Sequence, residues 1–290
     1  MTPESLPRLH LPVFLMLCVL ALVIPCSEAD VVTAQQSMEN PQNPLLQLNT
    51  SRGDIFIELL PNEAPNNVAN IIALAQGEVE IIDTNTNTAF RPRYFDGMRF
   101  HRVVPGFIVQ AGSPLHNPLG PPKEELMDEI NARTLGLNTQ PVLNPDGSFN
   151  AILNIADHAD FAEQILAPLY VSLNIDSEAE LLERQYSVLE ELQQMTVQEV
   201  YENQGYRYSS DHPTRSIARG TVALANRGPD SNGPEFFIAL QDSPWLNGKH
   251  TVIGIVVEGM EVVDTIGEIA VDPLRTSRLS TVIYSVYRVN

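Results

Sequence analysis

Cysteine is nearly absent from this chain of 290 residues: there are two, Cys18 and Cys26, both close to the start. If that segment is removed, no disulfide can hold the remainder together. Basic side chains are scarce too, with 17 Lys and Arg against 36 Asp and Glu and a net charge of −19. Such a chain stays soluble and repels nucleic acid and anionic membrane surfaces. Long apolar runs are missing except one, Leu11 to Ile24, which is short for a membrane span. The histidines His10, His116, His158 and His212 stand at no spacing that suits a metal ion.

What is present suits a globular protein. Apolar residues make up 43% of the chain, enough for a sizeable core in one large domain or two small ones. Leu11–Ile24 has the length of a signal-peptide core, and small-residue cleavage patterns follow at Ser27-Glu28-Ala29 and Val32-Thr33-Ala34. Residues 1–29 therefore read as a secretory signal, cut after Ala29 or Ala34. That predicts an exported, periplasmic protein with no membrane span once the signal is gone. The alternatives are an uncleaved anchor and a lipoprotein attached through Cys26, for which Pro25 is a poor neighbour. Residues 30–44 are polar and read as a flexible leader.

From residue 45 the patterning becomes that of strands. Leu46, Leu48, Ile55, Ile57 and Leu59 alternate across a turn at Ser51-Arg52-Gly53-Asp54. Pro65 to Gln76 reads as a helix capped by Asn66 or Asn67 and ended by Gly77. Glu78 to Arg93 reads as a loop. Met98–Val103 and Phe107–Ala111 are short strands around Pro105-Gly106. Thr221–Ala225, Phe236–Leu240, Thr251–Val257 and Val282–Val289 continue the strands, and Glu261–Ile266 is a second short helix. The fold class is mainly β: a closed antiparallel barrel capped by two helices. Residues 115–218 differ, because their apolar spacing turns helical. Capping patterns stand at Ser177/Glu180 and Thr196/Glu199, and Leu181, Tyr186, Leu189 and Leu192 follow the first. This stretch reads as a largely helical insertion in one domain over 45–290; an independent domain is the alternative.

Three segments carry chemistry: Phe100-His101-Arg102 through Phe107-Ile108-Val109-Gln110, Leu224-Ala225-Asn226 through Glu235-Phe236-Phe237, and Trp245-Leu246-Asn247-Gly248-Lys249-His250. In this order they resemble the cyclophilin family of peptidyl-prolyl cis-trans isomerases. The resemblance covers about Leu46 to Ser113 and Arg219 to Val289. It implies an eight-stranded barrel, no cofactor and no metal, and activity on X-Pro bonds of folding exported proteins. Arg102 matches the catalytic arginine; alone, it would read as a surface residue of a solvated strand. Phe107, Ile108, Phe237, Leu246 and His250 would form the proline pocket. Gln110 and Asn226 would bind the substrate backbone, Ala225 would admit the preceding side chain, Trp245 would line the rim, and His101 would sit close by. Proline-containing segments and unfolded exported proteins are the implied partners, with cyclosporin-type ligands as further candidates through Trp245.

Two positions depart from the family. Glu235 stands where glutamine is usual, and is expected to lie close to Arg102, partly hold its guanidinium and lower the rate modestly. Ser113 replaces an acidic residue. The other functional reading is a non-catalytic proline-segment binding module or chaperone that recruits partners through the helical insertion; it leaves Arg102 without a purpose.

Overall fold

The computed structural model describes residues 27–83, 86–117, 122, 125–272 and 280–290. The apolar run Leu11–Ile24 and both cysteines lie outside these residues. The alternating apolar residues form β1 (Leu45–Thr50) and β2 (Gly53–Leu59), paired antiparallel. Leu46, Leu48, Ile55, Ile57 and Leu59 face the main core. Leu45 and Phe56 point the other way and are buried as well, because Ala34 of α1 (Ser27–Ser37) and Met38 just after it cover them. The segment expected to be a flexible leader is therefore a helix followed by a turn. The buried Glu58 carboxylate secures that turn by accepting from the Glu39 and Asn40 amides at 2.7 and 3.0 Å and from Asn43 Nδ2 at 2.7 Å.

Helix α2 (Pro65–Gln76) caps the sheet. Neither Asn66 nor Asn67 caps it. The Glu129 carboxylate accepts from both of their backbone amides, at 3.0 and 2.9 Å. An anion at a helix N-terminus also suits the helix dipole. Part of the expected loop after α2 is a hairpin, β3 (Ile81–Asp83) with β4 (Thr88–Phe90).

The remaining strands are β5 (Arg102–Val104), β6 (Ile108–Ala111), β7 (Thr221–Leu224), β8 (Phe236–Ala239), β9 (Val252–Glu258) and β10 (Ile283–Arg288). Eight strands form one curled sheet in the order β10-β1-β2-β9-β7-β8-β6-β5. The expected closed barrel is corrected here, because no regular ladder joins β10 to β5. The residues before them meet through an isolated bridge, Arg99 with Val282, and bonds such as Ile283 N–H to the Met98 carbonyl at 2.7 Å. β5 is too short to continue the ladder. A strand alternates its faces residue by residue, so Val103, Val109, Phe236 and Ile238 enter the main core with Val263 and Ile266 of α7 (Met260–Gly267). Arg102, Ile108, Gln110 and Phe237 are left on the outer face.

Between β6 and β7 the chain builds a second core. Among the described residues its α-helices lie within 158–203: α3 (His158–Phe161), a π turn over Ala162–Leu166, α4 (Ala167–Ser172), α5 (Glu178–Gln194) and α6 (Val197–Asn203), preceded by a 3-10 turn at Ala151–Leu153. The flanking residues 125–157 and 204–218 are mostly irregular, so the stretch is less helical than its spacing suggests. Pro168 lacks the N–H that would continue an α ladder, and the π turn stands just before it. Leu181, Val188 and Leu192 of α5 pack inward, whereas Tyr186 and Leu189 face solvent. Among the described residues no helix is long and apolar enough to cross a membrane.

Candidate active site

Strand register brings the outer-face residues into one row. Arg102 pairs with Gln110, Gln110 with Phe237, and Phe237 with Ala223. Directly opposed side chains in a sheet lie close enough to touch. The row thus runs from a guanidinium through an amide to an aromatic ring, on a face the main core does not use.

The polar end of the row is a hydrogen-bonded chain. Arg102 Nη1 donates to Gln110 Oε1 at 3.0 Å, and Gln110 Nε2 donates to Glu235 Oε1 at 2.5 Å. The same carboxylate oxygen takes His101 Nε2 at 3.0 Å. Glu235 thereby fixes which end of the Gln110 amide faces Arg102. The expected contact between Glu235 and Arg102 is corrected, since Gln110 stands between them. Burial alone would push the Glu235 carboxyl up. Its donors, His101 first and then Gln110 and Ser113, outweigh burial and hold it below its ordinary value of 4.5. His101 also stacks on His116, with ring centroids 4.7 Å apart.

The apolar end is a packed cluster. Ile108 and Phe237 are buried in a cluster completed by Phe107, Ala225 and Leu246. Trp245 lies 5.9 Å from Phe107 between ring centroids, and His250 meets Phe237 edge to face at 5.3 Å. His250 Nδ1 donates to the Leu224 carbonyl at 2.9 Å, which fixes its tautomer and rotation. Asn226 spends its side chain within the protein, with Nδ2 donating to the Lys249 carbonyl at 2.8 Å. Its backbone N–H and carbonyl carry no hydrogen bond among the described residues. Gln110 likewise has both ends of its amide engaged, so it orients Arg102 instead of standing free.

All twelve residues singled out in the sequence lie on this face or against it. The sequence reading missed His116, Ser113 and Lys249. His116 showed no metal spacing, and its stacking on His101 is a packing outcome. Ser113 was visible only as a departure. Lys249 carried no local signal.

Burial pushes the His250 imidazole down, to about 4 from an ordinary 6.5; the neighbouring Lys249 charge adds to this and the Leu224 bond opposes it. The unfolded chain therefore takes up the proton first as pH falls. The stability that neutral His250 contributes is complete above about pH 6.5 and is lost toward pH 4. Glu235, whose pKa is also lowered, adds a loss in the same direction at more acid pH. The midpoint of thermal unfolding is expected to drop between pH 7 and pH 4.5, and a His250→Phe variant to show a shallower drop. Parallel curves would assign the acid loss elsewhere.

A curled antiparallel sheet, capped by helices and carrying an apolar cluster beside a guanidinium on its outer face, defines a mainly β class of protein. The family model described as "Cyclophilin type peptidyl-prolyl cis-trans isomerase/CLD" matches residues 45–287. Peptidyl-prolyl cis-trans isomerase B of Streptomyces anulatus is 30% identical over 233 residues, covering 80% of this chain and 87% of that protein. A probable peptidyl-prolyl cis-trans isomerase A of Mycobacterium leprae is 26% identical, with 80% and 84% covered. Among solved structures, a Cryptosporidium parvum cyclophilin type isomerase in the presence of the dipeptide Ala-Pro aligns over 85% of this chain and 99% of its own, at 17% identity and a TM-score of 0.47. The chain belongs to the cyclophilin-type peptidyl-prolyl cis-trans isomerase family and is an isomerase.

Proposed function

We propose that the outer-face row is the catalytic site and that it acts on X-Pro bonds of peptides and of folding exported proteins. The observation that carries this reading is the register Arg102–Gln110–Phe237. It sets a cation at the edge of the apolar cluster, and in this reading the nitrogen of a bound proline would lie beside it. Rotation about an X-Pro bond faces a barrier of about 18–20 kcal/mol, because the planar amide is stabilised by resonance. Twisting breaks that resonance and makes the proline nitrogen a better hydrogen-bond acceptor. Phe107, Ile108, Phe237, Leu246 and His250 would grip the ring in either isomer and contribute binding alone. Arg102 would donate to the nitrogen most strongly in the twisted state, which lowers the barrier. The backbone of Asn226 would hold the residues ahead of the proline, and Trp245 would close the rim.

In this reading the 115–218 segment is an insertion on an otherwise family-like domain, and residues 1–29 are an export signal. A cut after Ala29 would leave the buried Ala34 on β1 and β2, whereas a cut after Ala34 would remove it. Cut at either site, the product would be periplasmic. A cyclosporin-type macrocycle would compete for the same pocket. The test is a protease-coupled assay on a short Ala-Pro peptide. The protein is expected to relax the cis fraction well ahead of the uncatalysed rate of tens of seconds or slower. A well-folded preparation that leaves that rate unchanged would sink the proposal.

A further inference from the structure

The loop Trp245–His250 is held from behind by the second core. Gly248 has φ +82, and a Cβ there would meet Leu137 Cδ1 at 2.5 Å and Tyr201 Cδ2 at 3.1 Å, so only glycine lets the loop approach this closely. Tyr208 Oη donates to the Gly248 carbonyl at 2.9 Å, and Asn247 Oδ1 accepts the Ile217 amide at 2.8 Å. The Lys249 ammonium lies over the Tyr201 ring, 4.5 Å from its centroid, and no carboxylate pairs with it among the described residues. Tyr201 itself is fully buried in the second core. On the pocket side, the carbonyl of the same lysine holds Asn226 Nδ2, and the next residue, His250, holds the Leu224 carbonyl. One residue thus joins the second core to the two side chains that flank the pocket.

We propose that Lys249 and Tyr201 are positioning residues for the isomerase: the segment between β6 and β7 sets the pocket wall by gripping Lys249, which in turn sets Asn226. This rests on the outer-face pocket being the proline site. A lysine side chain is long and flexible, and only its seat on the ring pins it; a cation over a desolvated aromatic face is a directional contact. Released, the loop keeps its anchors at Asn247, Gly248 and His250 but loses the one at Lys249, and the carbonyl that accepts from the Asn226 amide is held less firmly. The peptide residues ahead of the proline depend on the Asn226 backbone. The damage should therefore appear in binding of peptides extended on that side, and not in the twisting step at Arg102.

The test uses the full chain and Lys249→Met, which keeps the apolar stem and removes the charge. On a peptide with two alanines before the proline, KM is expected to rise roughly three- to tenfold with kcat nearly unchanged. On a substrate with nothing ahead of the X-Pro pair the rise should be absent, and Lys249→Arg should restore the wild-type KM. Tyr201→Leu should act like Lys249→Met, with the double variant no worse than either alone. Two readouts do not depend on activity. Trp245, the single tryptophan, should become more accessible to a quencher in Lys249→Met, and the Asn226 side-chain amide signal should shift. Wild-type activity with KM, Trp245 and the Asn226 signal all unmoved in the variant would overturn the proposal. So would equal losses on long and short peptides that Lys249→Arg fails to restore, because these mark a merely structural role. A wild type without isomerase activity, in which the Asn226 signal still follows Lys249, would uphold the positioning link and remove the catalytic reading alone.

Discussion

Arg102→Ala is expected to lower kcat/KM for an Ala-Pro peptide on the order of 10²–10³-fold, the range seen when one preorganised donor to a transition state is removed. The fold should survive. Arg102 lies on the short edge strand β5, is partly exposed, and donates to Gln110 across the strand pair. Its removal leaves one amide oxygen that water can reach, a loss of about 1 kcal/mol of stability. Arg102→Lys should fall between the two, because lysine keeps the charge but not the planar fork that can serve Gln110 and the substrate together. Protease-coupled rates beside circular dichroism decide the matter. A folded Arg102→Ala protein with wild-type rates would leave the row as a peptide-binding surface only.

The second large effect is predicted at Gly112, which follows β6. Its φ is +85, and a Cβ would overlap the Pro234 carbonyl oxygen and press on Glu235 Cα at 3.2 Å. Both neighbours are backbone and cannot swing aside. Gly112→Ala is therefore expected to cost about 2–5 kcal/mol, combining backbone strain with overpacking. Gly106 makes the control: its φ is +72, yet nothing lies within 4 Å of an added Cβ. Gly106→Ala should cost only the left-handed strain, about 1–2 kcal/mol. Urea unfolding would measure both. The functional consequence should separate them further, since moving Glu235 releases the Gln110 amide that orients Arg102. Similar stability for the two variants would show that the Pro234 segment yields easily.

Much of the site is legible in the sequence, for a local reason. A strand alternates, so Arg102 had to face away from Val103, Gln110 from Val109, and Phe237 from Phe236 and Ile238; the register then puts Arg102 and Gln110 on one face. The order of three motifs then named the family. Element ends are legible where their chemistry is local. Thr196 and Glu199 form a complete capping box at α6. The cap of α2 is misassigned from the sequence because its ligand, Glu129, is far away along the chain.

The sequence by itself determined the alternation along the strands, the turns and the motifs that mark the family, because each depends on neighbours a few positions apart. Only the tertiary structure decided that Glu235 turns to Gln110 and His101 instead of Arg102, since that contact joins residues 125 and 134 positions apart. It also decided that α1 covers Leu45 and Phe56, that Tyr186 and Leu189 face outward, and that β5 and β10 do not close a ladder. Lys249 belongs to the same group. Nothing near it in the chain predicts Tyr201 beneath its ammonium; that meeting follows from how two separately built cores come to rest against one loop.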